Sequence, residues 1–110
     1  MAEQYEPKKG DVVVLYFNKF SPENFEKGLA VVTEGFSAAL DESGQTRRNF
    51  WLANPETHET IGISFFGESH PADEWHHNEH RLKVREQLEP LLEQPTVVKH
   101  YTVIGQHRTD

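Results

Sequence analysis

The sequence predicts a single α+β domain of ferredoxin-like β-α-β-β-α-β topology, with a four-stranded antiparallel sheet and both helices on one face. Four short runs are rich in β-branched and aromatic residues, two amphipathic segments alternate with them in that order, and 110 residues suffice for one core. Right-handed crossovers then fix the topology. We expect one domain over residues 1–110, with a loose lead-in at 1–10 and a tail at 106–110.

The composition excludes several classes of function. The chain has 18 Asp and Glu against 11 Lys and Arg, a formal charge of −7, whereas nucleic acids and anionic membranes bind basic surfaces. It has no cysteine, which excludes disulfides and thiolate chemistry. No apolar run approaches the ~20 residues of a membrane span, and the first residues lack the pattern of a signal peptide. We expect a cytoplasmic protein that binds neither nucleic acid nor membrane.

The first strand is expected over Asp11–Phe20, where apolar residues follow one another without alternating with polar ones. Such a strand is typically covered on both faces. A helix then begins at Ser21–Pro22, because serine caps helices and proline suits the first helical position. Gly28 and Gly35 lie inside this helix, where close packing is favoured over a gap left for a ligand. The apolar stripe has helical spacing and consists of Phe25, Leu29, Val32, Phe36 and Ala39.

The middle of the chain predicts a hairpin and a bent helix. Strands over Thr46–Ala53 and Thr60–Phe66 flank a polar segment with Asn and Pro, which is typical of a hairpin. The second helix begins near Ser69–Pro71, where serine and proline precede acidic residues. Its apolar stripe shifts, so we expect a bend around residues 76–81, and Pro90 breaks the helix because proline removes a helical hydrogen bond.

The last strand, Thr96–Gly105, completes the sheet but leaves one of its faces uncovered. On the first strand Val13, Leu15 and Phe17 point to one side, and none of the predicted elements is left to cover them. An apolar sheet face of this size usually marks an interface. The sequence therefore predicts a homodimer that closes a barrel across this face.

The order of these elements and three stretches of sequence resemble the antibiotic-biosynthesis-monooxygenase (ABM) group of dimeric α+β barrels. The stretches are VVVLYFNKF, ISFFGESHPADEWHHNEH and LEPLLEQPTVVKHYTV, and the resemblance covers roughly residues 11–105. It implies a homodimer with a pocket in each subunit between the sheet and the helices. The activities in the group include cofactor-free oxygenation of phenolic polyketides or quinols, and haem degradation.

The same resemblance separates these two activities. The haem-degrading branch has an Asn on the first strand, a Trp at the end of the third strand and a His on the second helix. Asn18 matches the first, but Phe66 and Arg85 stand at the other two positions. The resemblance therefore favours a monooxygenase that needs no cofactor and acts on a small aromatic or quinol substrate. A non-catalytic small-molecule-binding dimer is the alternative, and a haem-binding relative is the least favoured.

Asn18 and His80 are the predicted catalytic residues. A polar amide at the end of an apolar strand must find hydrogen-bond partners, so Asn18 either anchors a substrate or serves the structure. Of His76, His77 and His80, the resemblance favours His80 as a proton acceptor, and the alternative is a solvated helix turn. His76 and His80 have the spacing of a metal-binding pair, but no third ligand is evident, so we expect no metal.

The predicted substrate-binding residues are aromatic or cationic. Aromatic rings can stack on a flat aromatic ligand, and an arginine can clamp an anionic group. A place in the core explains the aromatic residues equally well, and a solvated position explains the arginine. The set consists of Tyr16, Phe66, Trp75 and Arg85, with Trp51 as a further aromatic candidate.

Overall fold

The computed structural model of the protein describes residues 5–44, 46, 48–67 and 72–109. None of the helices in these ranges is long and apolar enough to cross a membrane. The start predicted for the second helix, Ser69–Pro71, lies outside them. The strands are β1 (Val12–Lys19), β2 (Arg48–Asn54), β3 (Glu59–Gly67) and β4 (Val97–Thr102). The helices are α1 (Phe25–Ala30), α2 (Phe36–Ser43), α3 (Ala72–His76) and α4 (Glu79–Leu88), with 3₁₀ turns at Pro22–Asn24 and Glu89–Leu91 and a π-helical segment at Val31–Gly35.

The strands form one antiparallel sheet in the order β2-β3-β1-β4, which confirms the predicted α+β ferredoxin-like fold. Tyr16 of β1 lies between Gly62 of β3 and Val98 of β4, and Asn18 lies opposite Thr60 of β3. Because side chains alternate along a strand, the even-numbered residues of β1 face the helices and the odd-numbered residues face away, as predicted.

The first helical segment is less regular than predicted, because the π-helical segment interrupts it between α1 and α2. Its two internal glycines pack closely, as predicted. A Cβ atom at Gly28 would overlap the ring of Phe20, and one at Gly35 would lie 2.8 Å from Cγ1 of Val84. Phe20 is fully buried. The missing side chains therefore let the helix approach the core closely, and they leave no gap there for a ligand.

The second helical segment breaks at His77–Asn78, within the predicted bend, and again at Pro90 in a 3₁₀ turn. Asn78 has an extended backbone, and its Oδ1 accepts a hydrogen bond from the Arg81 amide at 2.9 Å, which caps α4. The break resets the phase of the helix. Arg81 therefore takes a buried position, 6% exposed, while Leu82 is 38% exposed. The buried stripe continues through Val84, Leu88 and Leu91.

The face of the sheet that points away from the helices is apolar and only partly covered. The lead-in covers one end of it, since the ring of Tyr5 lies 6.2 Å from that of Phe65. Leu15 and Phe17 are only half-buried, so the expectation that both faces of β1 are covered is not met within one chain. The most exposed apolar side chains of this face are Phe50 (40%), Leu52 (50%), Val97 (44%) and Tyr101 (51%). We call it the open face.

Candidate functional site

A cavity lies between the helix-facing side of the sheet and the helices. Its volume, taken as the space open to the centre of a water-sized sphere, is about 50 Å³. Most of its wall is apolar and comes from β1, β3, β4, α2 and α4. The polar side chains in the wall are those of Tyr16, Asn18, Ser64, Arg81, Arg85 and Thr96. Few polar groups in an apolar wall are typical of a site for a small organic ligand.

An open groove adjoins this cavity and shares Arg81, Arg85 and Val98 with it. The groove adds three histidines, His76, His77 and His100, which do not line the cavity itself. The site therefore has a more enclosed apolar part and a more open part rich in histidine. The two arginines lie at the boundary between these parts.

Tyr16 and His76 are joined across this boundary by a 3.1 Å hydrogen bond between the phenol oxygen and Nε2. Burial raises the pKa of Tyr16 to about 12, although the positive charge of Arg81 and a hydrogen bond from Trp75 oppose the rise. The phenol is therefore protonated at neutral pH. The Trp75 indole can only donate, and Tyr16 donates its own proton to Nε2 of His76 in the tautomer whose Nε2 carries no hydrogen.

His76 in turn lies against His100 of β4. The two rings are stacked, with centroids 5.6 Å apart and an angle of 20° between their planes. His100 is exposed. A series of three rings, those of Tyr16, His76 and His100, therefore runs from the cavity to the surface. A proton can pass between Tyr16 and His76 along their hydrogen bond, whereas His76 and His100 are in ring contact only.

Arg81 is a buried cation in the wall of the cavity. Its Nη1 donates a hydrogen bond of 3.2 Å to the carbonyl oxygen of His76, at the end of α3. Its guanidinium carbon lies 5.8 Å from the ring centroid of Tyr16 and 5.9 Å from that of Trp75. Burial lowers the pKa of Arg81, Tyr16 opposes this, and the neighbouring charge of Arg85 adds to it.

Asn18 is buried at the other end of the cavity wall, where it connects three strands. Its Oδ1 accepts a hydrogen bond of 2.6 Å from the hydroxyl of Thr96, just before β4. Its Nδ2 donates to the hydroxyl of Thr60 in β3 over 3.4 Å, which is a long contact. Each end of the amide is thus held by a threonine.

The structure brings together most of the predicted site residues, but not all. Tyr16, Asn18, Trp75 and Arg85 line the cavity, as does Trp51. Phe66 does not line it: this residue is 1% exposed and packs in the core against Val14, Ala39 and Leu40. His80 also lies elsewhere, with its Nδ1 2.6 Å from Oε2 of Glu42 in α2.

Two residues of the site, His76 and Arg81, were not predicted for it. The sequence indicates His76 only as part of the histidine cluster and gives no role to Arg81. Within the described ranges, no group of three His, Asp or Glu side chains is arranged to hold a metal ion.

No protein-family model and no curated protein matches this chain, whereas solved structures match its fold. The protein Rv0793 of Mycobacterium tuberculosis is 19% identical, with a TM-score of 0.73 over 89% of this chain and 99% of its own. A Nitrosomonas europaea protein described as a candidate antibiotic biosynthesis monooxygenase is 11% identical, with a TM-score of 0.74 over 90% and 95%. A variant of SnoaB, a cofactor-independent oxygenase from Streptomyces nogalater, is 15% identical, with a TM-score of 0.63 over 86% and 93%.

Identities this low establish a shared fold and leave the activity open. The shared fold extends over nearly the whole of each chain. It is the fold that the stretches quoted from the sequence predict. This chain therefore has an ABM-like fold, and the resemblance found in its sequence is confirmed at that level.

Proposed function

We propose that this protein is a cofactor-independent monooxygenase of the ABM type that oxidises a small aromatic or quinol substrate. One observation carries the proposal: Tyr16 lines the apolar cavity, His76 lines the open groove, and a 3.1 Å hydrogen bond joins them. This bond connects an apolar pocket to solvent through two groups that exchange protons. The fold shared with a cofactor-independent oxygenase supports the same activity.

The hydrogen-bonded pair of Tyr16 and His76, which we call the relay, supplies the first step of such a reaction, the formation of a substrate anion. A deprotonated phenol or quinol gives electrons to O₂ far more readily than the neutral form. As the substrate hydroxyl passes its proton to Oη of Tyr16, the Tyr16 hydroxyl passes its own proton to Nε2 of His76. The tyrosine never holds the negative charge, which suits a phenol with a pKa of about 12. His76 then holds the proton beside His100 and solvent.

The substrate anion then reduces O₂ without a further reductant. For a substrate that reacts at a ring CH₂ or its enol tautomer, R₂CH₂ and O₂ give R₂C=O and H₂O. One oxygen atom enters the product, the other leaves as water, and the substrate supplies all four electrons. The apolar wall of the cavity keeps bulk water away from the reactive anion.

We assign Asn18 the role of polar anchor for a substrate oxygen. Its described contacts use one N–H group and one lone pair of the amide, so a second N–H and a second lone pair remain for a ligand in the cavity. Proton acceptance by His80 stays a prediction from the sequence. We propose His76 for that role instead, because His80 is bound to Glu42 outside the cavity.

We also propose that two copies of the chain form a homodimer across the open face. The exposed apolar side chains there, including Phe50, Leu52 and Tyr101, form a large surface that water solvates poorly. A stable interface between proteins buries about 1,200–2,000 Å² in total. The cytoplasmic location expected from the sequence stays a prediction.

Oxygen uptake tests the proposed activity directly. With a panel of phenols and quinols, and without flavin, haem or added metal, uptake should equal product one to one. Tyr16→Phe and His76→Gln should each lower kcat by about 10²–10⁴-fold, the usual contribution of positioned proton transfer. His107→Gln, which changes an exposed histidine of the tail, is the matched control and should keep the full rate.

His80→Gln decides between the two histidines. A loss in His80→Gln with none in His76→Gln would contradict the relay and favour the assignment made from the sequence. Binding of the same compounds without any oxygen uptake would favour a non-catalytic binding dimer.

A further inference from the structure

Arg81 is a buried positive charge without a counter-ion among the described residues. Its side chain makes one hydrogen bond, to the carbonyl oxygen of His76, and no described carboxylate lies within ion-pair distance. Among its neighbours, another cation, Arg85, lowers the pKa of Arg81 further. Arg85 itself is paired, since its Nε lies 3.2 Å from Oε1 of Glu89. The chain has 18 Asp and Glu against 11 Lys and Arg, so carboxylates are not scarce.

A charge in this position is costly, because burial removes it from water and no opposite charge among the described residues replaces the lost solvation. The interactions with the Tyr16 and Trp75 rings, at 5.8 and 5.9 Å, compensate only in part. A purely structural role, bonding the last carbonyl of α3, would not need a charge on the wall of the cavity. The position is explained if the missing counter-ion arrives with a ligand.

We propose that Arg81 binds a carboxylate carried by the ligand, so that the cavity selects aromatic acids over uncharged aromatic compounds. The aromatic part of the ligand rests on the proposed function, whereas the acid group rests on Arg81 alone. The guanidinium fork matches a carboxylate in a bidentate arrangement, and its remaining N–H groups are not used by described residues. A substrate phenol is neutral at neutral pH and cannot replace the missing charge before it reacts.

Arg81 lies at the boundary of the cavity and the groove, which fixes where the acid group binds. The ring of the ligand enters the more enclosed apolar part, and the carboxylate stays at the boundary. Arg85, one helical turn further along α4, adds positive charge to the same place. Because Glu89 neutralises part of that charge, Arg85 is the weaker of the two contacts.

Calorimetric titration at neutral pH with naphthoate, naphthamide and naphthol tests the proposal without any turnover. The three compounds have the same ring system, and only naphthoate is an anion. We expect naphthoate to bind at least about tenfold more tightly than either neutral compound, as charge-assisted hydrogen bonds allow. Arg81→Met should abolish this preference. Arg81→Lys, which keeps the charge and loses the fork, should retain only part of it.

Lys83→Met is the matched control, because Lys83 is an exposed cation on the same helix that does not line the cavity. It should leave the preference for naphthoate unchanged. Equal affinities of the three compounds for the unmodified protein would overturn the proposal, even if Arg81→Met failed to fold. So would a preference that survives Arg81→Met. Binding of naphthoate through Arg81 without any oxygen uptake would support this inference and contradict the proposed oxygenase activity. Oxygen uptake with neutral quinols and no preference for the acid would support the oxygenase activity and contradict this inference.

Discussion

Replacing Asn18 by alanine asks whether this residue serves the substrate or the sheet. The substitution removes the 2.6 Å bond from Thr96 and the 3.4 Å contact with Thr60. Thr96 is half-buried and can turn to water in the cavity, whereas the Thr60 residue is only 3% exposed and its hydroxyl loses its partner. A hydrogen bond contributes about 0.5–1.5 kcal/mol, and an unpaired buried group costs about 1–3 kcal/mol.

The free energy of unfolding should therefore fall by about 1–3 kcal/mol. We expect a loss of about 1–2 kcal/mol, because one of the two contacts is long. For a domain near this size, 1 kcal/mol lowers the thermal midpoint by about 4–8 °C. Calorimetry at equal protein concentration measures the loss, since a dimer melts at a concentration-dependent temperature. Turnover or ligand affinity is measured on the same preparation.

Thr96→Val is the matched control, because it removes the stronger bond and keeps the amide of Asn18 in place. If Asn18 anchors the substrate, Asn18→Ala loses affinity or turnover and Thr96→Val keeps most of both. If Asn18 is structural only, the two variants lose similar stability, the double variant loses little more, and activity is unchanged in the folded fraction. An Asn18→Ala variant with unaltered stability would refute the hydrogen-bonding account itself.

Further expectations concern the buried phenol, the first helix and the open face. Because the pKa of Tyr16 is raised from 10.0 to about 12, its contribution to stability is present below pH 10 and lost as the pH rises towards 12. A tyrosine that ionises near pH 12 in a spectroscopic titration should vanish in Tyr16→Phe, and its persistence would contradict the assignment. Gly28→Ala should lower stability by about 1–3 kcal/mol through overlap with Phe20, despite a gain of about 1 kcal/mol in helix propensity. Gly35→Ala should cost less, because a Val84 methyl group can move. Leu52→Asp should give a monomer in sedimentation, and an unmodified chain that is already monomeric at micromolar concentration would refute the homodimer.

Strand alternation and turn chemistry made the fold predictable from the sequence. The run from Val12 to Lys19 has the composition of a buried strand, and its even and odd residues separate onto two faces as a period of two requires. Pro90 and the shifted apolar stripe indicated both breaks in the second helical segment. The π-helical segment at Val31–Gly35 was not predictable, because its apolar spacing is that of an ordinary helix.

The sequence predicted which residues of β1 face the cavity, but it predicted only some of the residues of the second helix that do. Tyr16 and Asn18 follow from alternation along β1. On the second helix, the shift of the apolar stripe predicted a bend but not which residues the bend would bury. The extended backbone of Asn78 resets the phase of the helix, and Arg81 is buried as a result. Val84 and Leu88 are buried, and the same helical spacing extended three residues towards the N-terminus reaches Arg81. A cation at a position where an apolar residue is expected is the signal that the sequence offered. Whether such a cation has a counter-ion depends on side chains far apart in the sequence, so only the fold reveals it. In a chain with carboxylates in excess, an arginine at a cavity wall that pairs with none of the described ones is best explained by a ligand that supplies one.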